Sequence, residues 1–132
     1  MAGNTKQVYV IDASFLLAYL LPDEEVNSVQ SFFDRYKQQN IELLAPNLLP
    51  FEILNGLKAN ILQRRLDYET AIGLAKRFLK LPINFQEVNF LKTFELVSSN
   101  KLTFYDASYL YLSQAQNAPL LTLDKKLQRL CS

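Results

Sequence analysis

The chain has 132 residues, of which 49% are hydrophobic and 20% are charged, and its formal net charge at pH 7 is +1. This length and composition exclude a disordered chain and indicate a single globular domain, which we assign to residues 1–132. The near-neutral charge excludes recognition of nucleic acid or membrane by overall charge, so any basic patch has to be local.

The absence of histidine and the single cysteine narrow the chemistry further. Catalytic triads that need histidine are excluded and zinc is disfavoured, whereas hard cations bound through carboxylate oxygens stay open. The lone Cys131 permits no internal disulfide and is typical of a reducing cytosol. No apolar run reaches the ~20 residues of a membrane span, and the first seven residues lack the apolar core of a signal peptide. We therefore expect a cytoplasmic protein without a membrane partner.

Short apolar runs alternate with helical patterns along the whole chain. The runs are too short for helices and predict strands over residues 7–11, 41–45, 83–88 and 120–123. Helical spacing predicts helices over residues 14–21, 48–62, 68–81 and 125–130, and three more that begin near residues 23, 90 and 104. Strands that alternate with helices imply an α/β fold, with a central parallel sheet of four or five short strands between two helical layers.

Residues with capping side chains mark several helix starts. Asn47, Asp67, Asn89 and Thr103 each precede a helical pattern, and the acidic residues 23–25 suit the first turn of the second helix. The apolar spacing also predicts which face each helix buries. In the third helix it predicts burial of Phe51, Leu54 and Leu57, and in the fifth it predicts burial of Phe90 and Phe94.

Four acidic residues are predicted to lie at one edge of the sheet. Asp12 ends the first strand, and Glu52 lies ~1–2 turns into the helix that leaves the second strand. Asp106 lies in the first turn of the helix before the fourth strand, and Asp124 ends that strand. Because sites in parallel sheets form at the carboxyl ends of the strands, we expect the four carboxylates at the same end of the domain.

Each acid also has a structural explanation. Asp12 and Asp124 precede helices and suit N-caps, and Asp106 suits compensation of the helix dipole. Glu52 is harder to explain in this way, because it lies between apolar neighbours and Lys58 is too far along the helix to share its face. None of these explanations accounts for the common edge.

Clustered carboxylates repel one another, and their pKa values rise unless a cation lies among them. An all-oxygen ligand set favours Mg²⁺ or Mn²⁺, and Mg²⁺ held by a few carboxylates usually acts on phosphate. The residues themselves therefore predict metal-assisted phosphoryl transfer or hydrolysis.

Four segments in this order resemble the PIN-domain ribonucleases, and most of all the VapC-type toxins of toxin–antitoxin pairs. They are VIDAS at residues 10–14, LLPFEIL at 48–54, YDASYL at 105–110 and TLDKKL at 122–127. The resemblance spans essentially the whole chain and implies a PIN-like fold. It also implies an endoribonuclease that hydrolyses RNA, and in many members of the family a homodimer that a small antitoxin protein silences.

The resemblance further implies roles for particular residues. Asp12, Glu52, Asp106 and Asp124 would be the catalytic acids and the ligands of Mg²⁺ or Mn²⁺. The hydroxyl groups of Ser14 and Thr122 would hydrogen-bond these acids or a water on the metal. Among the basic residues near the edge, Lys101, Lys125 and Lys126 are the best candidates to contact substrate phosphate. Tyr109 and Tyr111 make the helix after Asp106 unusually aromatic, and we assign them to core or dimer packing ahead of base stacking.

Two alternatives differ from a PIN nuclease. A PIN-like module that binds RNA or protein without cutting would need no metal. A response-regulator receiver requires adjacent acids after the first strand, and a haloacid-dehalogenase-like phosphatase requires Asp-x-Asp. Residues 12–14, Asp-Ala-Ser, supply neither pattern.

Overall fold

A computed structural model describes residues 5–131 of the chain. In this part, strands and helices follow one another in the order predicted from the sequence, which confirms the α/β class. The strands are β1 (Gln7–Ile11), β2 (Ile41–Pro46), β3 (Ile83–Gln86) and β4 (Leu120–Leu121). The helices are α1 (Ala13–Leu20), α2 (Asn27–Gln38), α3 (Leu49–Leu62), α4 (Tyr68–Leu79), α5 (Phe90–Asn100), α6 (Phe104–Gln116) and α7 (Lys125–Cys131).

The four strands form one parallel sheet in the order β3-β2-β1-β4. The inner strand β1 pairs on one side with β2, where Gln7 lies opposite Ile41, and on the other side with the short β4, where Val10 lies opposite Leu120. One further bond, from the backbone N–H of Asp12 to the carbonyl oxygen of Leu121 at 3.1 Å, continues this second pairing. The ends of β1 and β4 therefore lie side by side.

Both faces of the sheet are covered. Val10 and Ile11 are consecutive in β1 and point to opposite faces, yet both are fully buried. Leu43 and Leu44 of β2 behave in the same way. Apolar runs without alternation are typical of parallel strands between two helical layers, as expected.

None of the helices in residues 5–131 is long and apolar enough to cross a membrane.

Three of the four predicted caps are confirmed. Asp67, Asn89 and Thr103 each accept a hydrogen bond from the backbone N–H three residues later, at 2.7–3.1 Å. The prediction for Asn47 was wrong, because the cap position of α3 is Leu48 and Asn47 instead donates its backbone N–H to β3. The acidic residues 23–25 also lie before α2 and not in its first turn.

The predicted buried face of α3 was wrong in part. The helix buries Leu49, Ile53 and Leu57, whereas Phe51 is 74% exposed and Leu54 is 42% exposed. The apolar residues of α3 lie on most sides of the helix, so helical spacing alone is compatible with burial of more than one face. The buried set is the one that follows i, i+4, i+8, and its three residues belong to the main hydrophobic core.

The fifth helix shows the same departure. Phe90 and Phe94 were predicted to be buried but are 72% and 59% exposed, and the neighbouring Leu91 is exposed as well. The ring of Phe104 lies 6.0 Å from that of Phe90, and both line a cavity together with Phe51. We call Phe51, Phe90, Leu91, Phe94 and Phe104 the apolar surface.

Candidate active site

Asp12 lies at the carboxyl end of β1 and is 5% exposed. It caps α1, because its Oδ1 accepts the backbone N–H of Phe15 at 3.1 Å. The same oxygen accepts the hydroxyl of Ser14 at 2.7 Å. The carboxylate is thus both a helix cap and a buried acid at the sheet edge.

The hydroxyl of Ser14 links the first and last strands. Besides donating to Asp12, its oxygen accepts the backbone N–H of Leu123 at 3.0 Å and lies 3.5 Å from Oγ1 of Thr122. Thr122 Oγ1 in turn accepts the backbone N–H of Asp124 at 3.0 Å. These contacts set the position of Asp124 relative to Asp12 across more than a hundred residues of sequence.

Asp124 is exposed and caps α7, since its Oδ1 accepts the backbone N–H of Leu127 at 3.0 Å. Asp106 lies in the first turn of α6 and is half-buried, and the cap position of that helix is filled by Thr103. The cap explanation therefore applies to Asp124 and not to Asp106.

Glu52 lies in the first turn of α3, and its hydrogen-bond partner is a residue that the sequence alone did not assign to the site. Its Oε1 accepts the hydroxyl of Tyr109 at 2.5 Å, and the Tyr109 side chain is 1% exposed. Burial, together with the adjacent Glu52 carboxylate, raises the pKa of Tyr109 well above its usual range, so the hydroxyl stays protonated. A sequence signal existed: Tyr109 lies three residues after Asp106, on the same face of one helix.

Electrostatic interactions join the four acids. Burial raises the pKa of Asp12, Glu52 and Asp106 above their ordinary values. Repulsion from Asp106 raises the pKa values of Asp12 and Glu52 further, and Asp124 does the same for Asp106. Asp106 therefore interacts with each of the other three acids, Glu52 also interacts directly with Asp12, and the structure brings all four to one end of the sheet.

The donor set fits a hard divalent cation in its chemistry. All four groups are carboxylates, and a cation among them would relieve the repulsion that raises the pKa values of Asp12, Glu52 and Asp106. Among residues 5–131, however, no three acidic, histidine or cysteine side chains stand close enough together to hold a metal ion as placed. The four acids therefore suit a hard cation by the chemistry of their oxygen atoms, and not by a coordination geometry that is already in place.

The three candidate lysines are exposed, and Lys125 and Lys126 directly follow Asp124 in the chain. The ammonium group of Lys126 donates to the carbonyl oxygen of Lys101 at 2.8 Å, and its charge lowers the pKa of Asp106. Lys101 itself ends α5 in the left-handed conformation, with φ of 55°. Lys125 begins α7.

Comparison with solved structures shows a shared fold. The crystal structure of PAE2754 from Pyrobaculum aerophilum matches with a TM-score of 0.72 and 24% identity, over 95% of this chain and 86% of that one. The Mycobacterium tuberculosis VapC20, a toxin that cleaves the sarcin–ricin loop, matches with a TM-score of 0.65 and 14% identity. That match covers 94% of this chain and 95% of VapC20. At these identities the two structures establish similarity of fold.

Comparison of sequences gives the family. No curated protein sequence matches the chain. The sequence profile of the PIN domain, by contrast, matches residues 9–132, which include all four acids. PIN domains are generally nucleases. The resemblance inferred from the four segments is thereby confirmed, and the chain belongs to the PIN-domain family.

Proposed function

We propose that this protein is a metal-dependent endoribonuclease that hydrolyses RNA phosphodiester bonds at the edge formed by Asp12, Glu52, Asp106 and Asp124. The observation that carries the proposal is the meeting of four carboxylates, from four distant parts of a PIN-domain chain, at one end of a parallel sheet. Mg²⁺ or Mn²⁺ is the proposed cofactor, because the donors are all carboxylate oxygens.

In this proposal the four acids bind the cation, and the hydroxyls of Ser14 and Thr122 hold Asp12 and the backbone of Asp124 in place. When bound, a divalent cation activates a water and stabilises the charge that develops on the phosphate. Lys101, Lys125 and Lys126 would contact the RNA phosphates on the Asp124 side. A cytoplasmic location is part of the proposal, since a single cysteine is typical of chains from reducing compartments.

Cleavage of a labelled single-stranded RNA in Mg²⁺ or Mn²⁺ tests the proposal. We expect cleavage by the wild type, loss of it in excess EDTA, and a rate at least about 100-fold lower for Asp106→Asn. Asp34→Asn is the matched control, because Asp34 is exposed on α2, away from the sheet edge. Equal rates for Asp106→Asn and the control would rule out the assignment of this site.

A second candidate is a PIN-like module that binds RNA or protein without cutting. The observation that favours it is that no three acids of residues 5–131 are placed to hold a metal ion. It predicts RNA binding that EDTA does not change, and no heat of Mn²⁺ binding by calorimetry. Metal-dependent cleavage that Asp106→Asn abolishes would exclude it.

Within the nuclease proposal, we assign the protein to the toxins of toxin–antitoxin pairs, which would make a small antitoxin protein its partner. The fold that it shares with VapC20, itself a toxin that cleaves the sarcin–ricin loop, supports this assignment. Induced expression should arrest growth for the wild type but not for Asp106→Asn. A short neighbouring gene, expressed together with it, should restore growth and its product should co-purify. Absence of both effects would contradict the toxin assignment.

We further propose that two copies of the chain associate through the apolar surface. The four residues of this surface in α3 and α5 are 59–78% exposed, and Phe104 of α6 is half-buried. Exposed apolar patches of this kind usually mark an interface. Light scattering should give twice the 15.2 kDa chain mass for the wild type and that mass for Phe94→Lys. Leu79→Lys, which changes an equally exposed residue of α4, is the control. A wild-type monomer would contradict the dimer.

A further inference from the structure

Tyr109 occupies a position that packing alone does not explain. Its side chain is 1% exposed and belongs to the core between the sheet and α6. Its hydroxyl nonetheless reaches a carboxylate 57 residues earlier in the chain, that of Glu52, at 2.5 Å. A phenylalanine would fill the same volume without a polar atom to satisfy. The hydroxyl therefore serves to bind an acid of the candidate site.

The bond between Tyr109 and Glu52 matters for the site because Tyr109 lies on the same helix as Asp106. Asp106 and Tyr109 are three residues apart, so they lie on one face of the helix. A single helical turn thus carries one acid of the site directly and holds a second acid, Glu52, through a hydrogen bond. The bond fixes Oε1 of a side chain that otherwise has three rotatable torsions, and Oε2 is left for another ligand.

We propose that Tyr109 is a positioning residue that sets the direction of the Glu52 carboxylate toward Asp12 and Asp106, so that Glu52 can share a divalent cation with them. This inference rests on the proposed function of the site and adds a residue to it. Tyr109 does not touch the cation or the RNA. It acts through Glu52, in the way that hydrogen-bond partners of metal ligands orient those ligands.

The test compares Tyr109→Phe with the wild type, using Mn²⁺ alone as the calorimetric probe. Loss of such an orienting partner typically weakens metal binding by about 10–100-fold, and we expect the dissociation constant for Mn²⁺ to rise at least roughly tenfold. In RNA cleavage, kcat should fall while KM for the RNA stays within about twofold, because the hydroxyl contacts no substrate. Tyr111→Phe makes the same chemical change two residues along α6, at a half-buried ring, and should change neither quantity.

A double-mutant cycle separates positioning from general loosening of the fold. In a Glu52→Gln background the carboxylate is already absent, so Tyr109→Phe should weaken Mn²⁺ binding by less than about twofold. A tenfold loss that persists in this background would overturn the proposal, because it would not depend on Glu52. If Tyr109→Phe does not fold, Glu52→Asp serves as the second variant, since it keeps the charge but draws the carboxylate away from Tyr109. Wild-type Mn²⁺ affinity in Glu52→Asp would also overturn the proposal.

The failure of this inference differs from the failure of the proposed function. Wild-type protein that binds Mn²⁺ and cuts RNA, together with an unchanged Tyr109→Phe, would remove Tyr109 from the site and leave the nuclease standing. Wild-type protein that neither binds Mn²⁺ nor cuts RNA would overturn the nuclease, and the positioning role of Tyr109 with it.

Discussion

Replacing Ser14 by alanine should destabilise the protein, because one hydroxyl joins the two ends of the sheet edge. The change removes its bond to Asp12 Oδ1 at 2.7 Å and leaves the backbone N–H of Leu123 without its partner at 3.0 Å. A hydrogen bond to a charged group contributes about 1.5–3 kcal/mol, and a buried N–H left unpaired costs about 1–3 kcal/mol. Because Ser14 is half-buried, water can hydrogen-bond to Asp12 and to the Leu123 N–H in the variant, which reduces both costs.

The expected net loss is about 2–3 kcal/mol in the free energy of unfolding, after a few tenths are returned by the higher helix propensity of alanine. With an unfolding entropy of ~2.1 cal/mol/K per residue, a chain of 132 residues loses about 7–11 °C in Tm. Calorimetry at pH 7 in EDTA measures this loss directly. Ser31→Ala, at an exposed position of α2, is the control and should shift Tm by less than about 2 °C.

A loss of Tm no larger for Ser14→Ala than for the control would refute this reasoning, since the bridge between β1 and β4 would then contribute nothing. Ser14→Thr keeps the hydroxyl and should recover most of the stability. Equal losses for alanine and threonine would show that keeping the hydroxyl does not restore stability, and would count against hydrogen bonding as the cause.

Three further predictions concern pH, metal and packing. Since the pKa values of Asp12, Glu52 and Asp106 are raised by folding, the folded protein holds more protons than the unfolded chain. Stability in EDTA should therefore be highest below the ordinary carboxyl pKa values of 3.8 and 4.5, as far as these groups determine it, and should fall as pH rises through the raised values. Urea unfolding at several pH values measures this slope, which Asp106→Asn should reduce. Mn²⁺ at 100 times its dissociation constant should stabilise the wild type by about 2.7 kcal/mol and leave Asp106→Asn unchanged in the same assay. Ile53→Ala, at a fully buried position, should cost about 2–5 kcal/mol, whereas Leu54→Ala, 42% exposed, should cost less than about 1 kcal/mol; equal costs would contradict the observed face of α3.

Much of the fold could be predicted because its signals are local. Short apolar runs between amphipathic segments identified every strand, and side-chain caps identified the starts of α4, α5 and α6. A cap depends on one side chain and the backbone three residues later, so neighbouring sequence contains all that it needs. The common edge of the four acids followed from the same local assignments, since every strand of a parallel sheet ends on one side.

The contacts inside the site could not be predicted in this way. Ser14 meets Leu123 only because β4 pairs with β1, and the strand order that brings them together depends on long-range packing. The bond from Tyr109 to Glu52 likewise requires α3 and α6 to approach from distant parts of the chain. Helical spacing placed Tyr109 beside Asp106 but could not reveal its partner.

The sequence by itself determined the order of the elements, three helix caps and the edge at which the acids collect. The tertiary structure decided which face of α3 turns inward, and it left Phe51 and the exposed residues of α5 at the surface. The physical reason is that capping and strand length are properties of a few neighbouring residues, whereas burial of a helix that is apolar on several sides depends on what packs against it. For the same reason the four acids could be assigned to one edge from the sequence, and the resemblance implied a hydrogen bond from Ser14 to an acid, while the bond from Tyr109 to Glu52 came only from the folded chain.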